Sequence, residues 1–157
     1  MRLLLEQFLE RGIVERGDAK VEKDVETTDP KSKKVTKTKE LGRQFTCAIF
    51  SPDGKRVIAG NLDGIIKIYD VESKKEVQEL KAHEGVWALA LSPDGSKFAT
   101  GGYDQTIKIW NAADYKELRT IKAHDRTVIA LSFGPDNQWL ASGSTDGIVK
   151  IWSVAKK

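Results

Sequence analysis

Two histidines, His83 and His124, are the side chains of this sequence best suited to catalysis or metal binding. An aspartate follows each of them, Asp104 after 21 residues and Asp146 after 22. Zinc binding and acid-base catalysis need further groups at ligand spacing, such as paired cysteines or a carboxylate cluster. The sequence has a single cysteine, Cys47, and no such cluster beside either histidine. We therefore predict no catalytic residue, no metal site and no cofactor.

The segments that carry these residues repeat along the chain. A turn motif occupies residues 50–54, 91–95 and 133–137, and its prolines lie 41 and 42 residues apart. Each copy predicts a tight turn, because proline presets φ and the glycine or asparagine after it accepts a positive φ. A second motif keeps the same phase and places an aspartate six residues before an aromatic residue: Asp63 and Tyr69, Asp104 and Trp110, and Asp146 and Trp152. A period near 40 is typical of repeat folds.

Between the turns, apolar and polar residues alternate with period two, which predicts β-strands. Each unit contains four short predicted strands, and four antiparallel strands make one blade of a propeller. In the order outer, inner, third and fourth, the strands are predicted at Val35–Leu41, Phe45–Phe50, Arg56–Ala59 and Ile65–Tyr69; at Glu76–Leu80, Val86–Leu91, Lys97–Thr100 and Thr106–Trp110; and at Glu117–Ile121, Val128–Phe133, Trp139–Ser142 and Val149–Trp152.

The three in-phase units resemble the WD40 repeat family, through Ala-His at the unit boundary, the Pro-Asp-Gly turn and the Asp-to-Trp spacing. The resemblance implies an all-β fold, a partial propeller of three four-stranded antiparallel blades, with units near 34–74, 75–115 and 116–157. In this family a histidine, a serine or threonine, an aspartate and a tryptophan form a buried hydrogen-bonded set, which stabilises strand packing when every polar atom is satisfied. By position the sets are His83, Thr100, Asp104 and Trp110, and His124, Ser142, Asp146 and Trp152.

The first unit departs from this pattern. It keeps Asp63, but Tyr69 replaces the tryptophan and Ala59 replaces the serine or threonine. The histidine position falls at Gly42 or Leu41. We expect this blade to be the least rigid of the three, since terminal repeats are often atypical.

Three blades are too few for a ring, because propellers close with about 4–8 blades. Exposed inner faces and unpaired strand edges promote association. In WD40 rings the N-terminal outer strand, here Val35–Leu41, completes the last blade, which here ends at Trp152. Two arrangements satisfy this requirement. Two copies could pair to give six blades, or the chain could be a fragment or subunit completed by other protein.

The N-terminal arm divides into two segments. Apolar residues at helical spacing over Leu3–Val14 predict a short amphipathic helix within residues 1–16, which either docks on the propeller or enters a partner's groove. Residues 17–33 are densely charged and are predicted to be a linker. A basic run at 31–39 contains Lys31, Lys33, Lys34, Lys37 and Lys39, which either protect a strand edge or contact phosphate.

Partner-binding positions follow from the resemblance, which places them at the start of each inner strand and before each turn aspartate. Trp87 and Tyr103 are the strongest candidates, since large aromatic side chains dominate interface energetics, although Trp87 could instead pack against a neighbouring blade. The other predicted positions are Gln44, Thr46, Leu62, Thr127, Ile129 and Thr145.

Composition limits the remaining classes of function. The 157 residues are 39% hydrophobic and 31% charged, with a net charge of +3, which favours neither a membrane span nor an extended basic surface. We predict an intracellular protein, cytoplasmic or nuclear, that serves as a protein-interaction scaffold. Nucleic-acid contact through the basic run is an alternative, and a propeller enzyme is a weaker one, because no phosphate-binding loop or nucleophile motif is present.

Overall fold

The computed structural model describes residues 24–28, 35–39 and 44–155, which form strands joined by turns. Two compact units are present, residues 1–44 and 45–157. The described segments contain no helix that is long and apolar enough to cross a membrane. The strands are β1 (Asp24–Thr28), β2 (Val35–Lys39), β3 (Phe45–Phe50), β4 (Arg56–Asn61), β5 (Ile65–Asp70), β6 (Glu76–Lys81), β7 (Val86–Leu91), β8 (Lys97–Gly102), β9 (Thr106–Asn111), β10 (Glu117–Lys122), β11 (Val128–Phe133), β12 (Trp139–Ser144) and β13 (Val149–Ser153).

The N-terminal unit contains one antiparallel pair, β1 with β2, in which Thr27 lies opposite Thr36. Strand β1 falls within residues 17–33, the segment predicted to be a linker, and β2 falls within the predicted outer strand. The helix predicted over Leu3–Val14 lies outside the described residues. The boundaries of the two N-terminal segments therefore stay predictions.

The second unit contains three antiparallel sheets in chain order. The first sheet is β3-β4-β5-β6, the second is β7-β8-β9-β10, and the third is β11-β12-β13. The prediction of an all-β fold with antiparallel sheets is therefore confirmed. The prediction of three four-stranded blades is wrong for the third sheet, which has three strands in the described part of the chain.

The predicted grouping of strands into blades is also wrong. The predicted outer strands of the second and third units, β6 and β10, each pair with the fourth strand of the preceding unit, so that Leu80 of β6 lies opposite Ile66 of β5. A tight connection favours this hairpin, because the Asp70 carboxylate accepts hydrogen bonds from both the N–H and the hydroxyl of Ser73 at 2.8 Å. A repeat period is the same wherever the unit is cut. It therefore does not determine which four successive strands share a sheet.

The turns between the first and second strands of each sheet match the sequence prediction. Gly54, Gly95 and Asn137 have positive φ angles of 67°, 68° and 59°. A Cβ atom at Gly95 would lie 2.1 Å from the ring of Pro52, so this turn has no room for a side chain. The turns of the first two sheets thus lie next to each other.

The hydrophobic core lies between neighbouring sheets. Ile58, Ile66 and Ile68 of the first sheet pack against Phe98 and Trp110 of the second, whose rings are stacked at 5.9 Å. A similar layer joins the second sheet to the third and contains Ala99, Ile107, Ile109, Val128 and Leu140. One face of the first sheet is therefore covered by the second sheet, and one face of the second sheet is covered by the third.

Candidate functional site

A chain of hydrogen bonds links four side chains of the second sheet and the loop before it. The Trp110 Nε1–H donates to Thr100 Oγ1 at 2.9 Å, and Thr100 Oγ1 lies 2.7 Å from His83 Nε2. On the other side of the ring, His83 Nδ1 lies 2.8 Å from an Asp104 carboxylate oxygen. The structure therefore brings together all four residues that the sequence analysis assigned to this set.

The His83 ring is buried, and this environment disfavours its charged form. Desolvation lowers the pKa of this histidine, although the nearby Asp104 carboxylate opposes the shift. In the neutral ring, Nδ1–H donates to Asp104 and Nε2 accepts the hydroxyl proton of Thr100. Every donor then has an acceptor, from the indole of Trp110 to the carboxylate. No ring nitrogen of His83 is left for acid-base chemistry or for a metal.

The third sheet repeats the arrangement. Trp152 Nε1–H donates to Ser142 Oγ at 2.8 Å, Ser142 Oγ lies 2.8 Å from His124 Nε2, and His124 Nδ1 lies 2.9 Å from Asp146. Desolvation opposes ionisation of Asp146, but hydrogen bonds from the Ile148 N–H and from His124 keep its pKa below the usual value. Within the described segments, no three His, Cys, Asp or Glu residues are grouped to hold a metal.

In the first sheet a different residue, Asn61, binds the turn between β4 and β5, and the sequence analysis missed it. Asn61 is fully buried, and its Oδ1 accepts hydrogen bonds from the N–H groups of Asp63 at 3.1 Å and Ile65 at 2.9 Å. In the third sheet the same turn is held by the Asp146 carboxylate, which accepts from the Ile148 N–H at 2.9 Å. Asn61 therefore takes over the turn-binding role of the aspartate in the first sheet.

The surroundings of Gly102 explain why the second sheet has no side chain at the position of Asn61. In strand register, Asn61 corresponds to Gly102 of the second sheet and Ser144 of the third. A Cβ atom at Gly102 would lie 2.4 Å from the ring of His83. An asparagine is thus compatible with a unit whose sequence lacks the histidine. The usable sequence signal was a single large polar residue at a position that is otherwise Gly or Ser.

Several predicted partner-binding residues form one exposed patch around Gly85. A Cβ atom at Gly85 would lie 3.1 Å from the Leu62 carbonyl oxygen, 3.6 Å from Trp87 Nε1 and 3.6 Å from Tyr103 Cβ. Tyr103 is 60% exposed, and Trp87 and Leu62 are less so, at 42% and 38%. We call Leu62, Gly85, Trp87 and Tyr103 the aromatic patch.

The remaining predicted positions have other surroundings. The Thr46 hydroxyl donates to the carbonyl oxygens of Gly60 and Val86, so that it joins the first two sheets. The Thr127 carbonyl accepts from the Thr145 N–H at 3.1 Å. Gln44 and Ile129 are exposed, and Gln44 belongs to the N-terminal unit.

The third sheet carries a second exposed surface. Val149 and Ile151 are 74% and 70% exposed, whereas Ile107 and Ile109, the equivalent residues of the second sheet, are 0% and 4% exposed. A depression of about 590 Å³ lies beside Ile151. We define the open face as Trp139, Ala141, Gly143, Val149 and Ile151.

Comparison with known proteins identifies the family and the solved structures that the chain matches. Residues 74–111 and 115–153 match the family described as WD domain, G-beta repeat, and residues 19–89 match the anaphase-promoting complex subunit 4 WD40 domain. The chain is similar to the solved structure of U3-55K, with 28% sequence identity and a TM-score of 0.68, and to that of the RRP9 WD40 repeats, with 30% identity and a TM-score of 0.68. Each match covers 71% of this chain but 36% of the other. The chain thus spans about a third of the solved structures that it matches.

Proposed function

The chain belongs to the WD40 repeat family, and from that premise we propose that it is a non-catalytic protein-interaction scaffold whose blades are completed by other protein. One observation carries the proposal: Val149 and Ile151 are mostly exposed, although their equivalents in both preceding sheets are buried. Burying two aliphatic side chains of this size stabilises a complex by about 3–6 kcal/mol before association costs. The open face is therefore suited to a packed blade.

Glycines define the shape that this partner needs. A Cβ atom at Gly60 would lie 2.4 Å from Val86 Cγ1 of the next sheet, and one at Gly101 would lie 2.6 Å from Val128 Cγ1. These glycines therefore make space for a valine of the sheet packed against them. Gly143 is the equivalent residue of the third sheet, and there a Cβ atom would meet, among the described residues, only Ala130, at 3.4 Å. We infer that Gly143 receives a β-branched side chain of the completing blade.

The same comparison favours a different polypeptide over a second copy. In strand register, the residue of the first sheet that corresponds to Val86 and Val128 is Phe45. A second copy that packed its first sheet on the open face would bring Phe45 to Gly143, where the other interfaces hold a valine. Phenylalanine is considerably larger, and overpacking an interface costs about 1–3 kcal/mol.

The experiment is light scattering coupled to gel filtration, together with binding of an apolar dye, on the full chain. We expect the wild-type chain either to associate or to bind the dye as a monomer. Ile151→Lys should reduce both signals, because it places a charge on the open face. Leu118→Lys is the matched control, since Leu118 is 52% exposed but lies on β10. A wild-type monomer that binds no dye contradicts the proposal, and a defined dimer contradicts the preference for another polypeptide.

The aromatic patch is proposed as a second contact surface for protein partners. Tryptophan and tyrosine contribute a large share of binding energy when an interface buries them. Alanine substitutions at Trp87 and Tyr103 should weaken partner capture and leave the far-ultraviolet circular dichroism spectrum unchanged. If the double variant instead loses its fold, the patch is part of the core rather than a binding site.

The proposal also concerns the cellular location of the scaffold and the functions that it lacks. We propose an intracellular location, cytoplasmic or nuclear, because the chain depends on its internal packing and has no disulfide partner for Cys47. Catalysis forms no part of the proposal, since both histidines are fully engaged within their hydrogen-bonded sets. Phosphate contact by residues 31–39 stays a hypothesis, and binding of nucleic acid that is insensitive to salt would argue against it.

A further inference from the structure

One strand edge of the second unit differs from its equivalents. Strand β5 is hydrogen-bonded on both sides, to β4 and β6, and β9 is hydrogen-bonded on both sides, to β8 and β10. Strand β13, the equivalent strand of the third sheet, pairs only with β12 among the described residues. An unpaired edge offers a row of backbone N–H and C=O groups to an incoming strand.

A lysine in each of these three strands indicates which side chain the neighbouring outer strand provides. Lys67 Nζ lies 2.5 Å from a carboxylate oxygen of Glu76, and Lys108 Nζ lies 2.9 Å from one of Glu117. Both glutamates come from the outer strand of the same sheet. Although desolvation opposes it, ion pairing with Glu76 holds the pKa of Lys67 above its usual value.

Lys150 is the equivalent lysine of β13, and it lacks this partner. Its Nζ donates instead to the Ala123 carbonyl oxygen at 2.7 Å, and no carboxylate of the described residues lies within ion-pair distance. A second cation is close by, because Arg119 Nη1 donates to the Ser153 carbonyl oxygen at 3.1 Å. The edge of β13 that has no partner strand among the described residues, here called the free edge, is therefore positively charged.

We propose that β13 binds an extended strand of another polypeptide, added antiparallel to its free edge, with a glutamate beside Lys150. The inference deepens the proposed function and rests on it, since it specifies one strand of the protein that completes the third blade. Backbone hydrogen bonds would supply affinity, and side chains at alternate positions would supply specificity, as in other cases of strand addition.

The two existing outer strands give the sequence pattern of the partner. Glu117 lies opposite Trp110, and Ile121, four residues later, lies opposite Ile107. Glu76 and Leu80 have the same spacing in the first sheet. The partner strand should therefore read Glu-x-x-x-Leu or Glu-x-x-x-Ile. Its glutamate would lie opposite Trp152, and its aliphatic residue would lie opposite Val149.

The chain's own predicted closing strand does not carry this pattern. When Gly42 is aligned with the histidine at the unit boundary, Val35 occupies the glutamate position and Lys39 occupies the aliphatic position. A lysine on a partner strand would add positive charge to an edge that already has Lys150 and Arg119. Charge complementarity therefore favours an acidic strand from another polypeptide over this basic segment.

The experiment uses the full chain and a labelled peptide with the sequence of residues 75–83, Lys-Glu-Val-Gln-Glu-Leu-Lys-Ala-His, whose first glutamate is the one that pairs with Lys67 in the first sheet. We expect it to bind, as measured by fluorescence anisotropy, and to slow amide hydrogen exchange in β13. A peptide with lysine in place of this first glutamate should bind about tenfold more weakly. The chain variant Lys150→Glu should reverse this preference. Lys122→Glu, the same charge change at an exposed lysine of β10, should not.

Three results would overturn the inference. The two peptides could bind equally, neither could bind, or the amides of β13 could already be as protected as those of β9 without peptide. The last result would mean that a segment of the chain itself covers the edge. Lys150→Met, checked by circular dichroism, separates loss of the charge from loss of the fold. Failure of the peptide would leave the proposed function standing if Ile151→Lys still abolishes association, because that variant tests the open face and not the edge.

Discussion

Thr100 is the hydroxyl that joins Trp110 to His83, so replacing it with valine tests the hydrogen-bonded set of the second sheet. Thr100 is fully buried, and its Oγ1 accepts from the indole N–H and donates to the ring nitrogen. Valine preserves the shape of the side chain but removes both bonds. The indole N–H and the imidazole Nε2 would remain buried without partners.

The size of the effect follows from these two groups. A buried donor or acceptor without a partner costs about 1–3 kcal/mol, so two of them cost roughly 2–6 kcal/mol. The extra apolar group of valine offsets part of this, by up to about 1 kcal/mol. We expect Thr100→Val to lower the free energy of unfolding by about 1–5 kcal/mol. That is a large share of the roughly 5–15 kcal/mol that holds a typical domain folded.

The assay is urea unfolding at pH 7.5, followed by tryptophan fluorescence and circular dichroism. Thr120→Val is the matched control, because the Thr120 hydroxyl bonds only Glu117 on the exposed strand β10. Its effect should stay within about 0.5 kcal/mol. If Thr100→Val lies within that range as well, or if both variants lose the same stability, the hydrogen-bonded set does not stabilise the sheet.

Three further predictions concern the same strands. Burial holds the pKa of His83 below its unfolded value of about 6.5. The neutral ring therefore stabilises the fold above that pH, and this contribution is lost as the pH falls. The urea midpoint should therefore drop between about pH 7 and 5, and a constant midpoint would contradict this. Asn61→Ala should cost about 1–3 kcal/mol by calorimetry, since it leaves two turn N–H groups unbound, whereas Asn61→Ser should cost less because serine fills the equivalent position in the third sheet. Gly101→Ala should destabilise by about 1–3 kcal/mol through its clash with Val128, and Gly143→Ala should be nearly neutral in the isolated chain, so equal effects would show that the two glycines have the same surroundings.

Much of the candidate site could be predicted because its signals are local. Six of the eight residues in the two complete sets recur at fixed distances from the turn motifs, and the spacing of the two histidines differs by one residue. The structure joins all eight by hydrogen bonds. Asn61 was missed, since its role appears only when its strand register is compared with Gly102 and the ring that lies against it. The aromatic patch was predicted as separate residues, and only the folded chain brings Leu62 to Trp87 and Tyr103.

The sequence alone determined the all-β class and the positions of the turns, because strand alternation and turn chemistry act between residues close in the chain. The membership of the polar sets came from the resemblance to the WD40 family, applied at the matching positions of each unit. Tertiary structure decided which four strands share a sheet, which sheet faces are covered and which edge is free. These depend on contacts between residues far apart in sequence. Val149 and Ile107 have the same character and the same place in the repeat, and only the packing of the next sheet makes one exposed and the other buried.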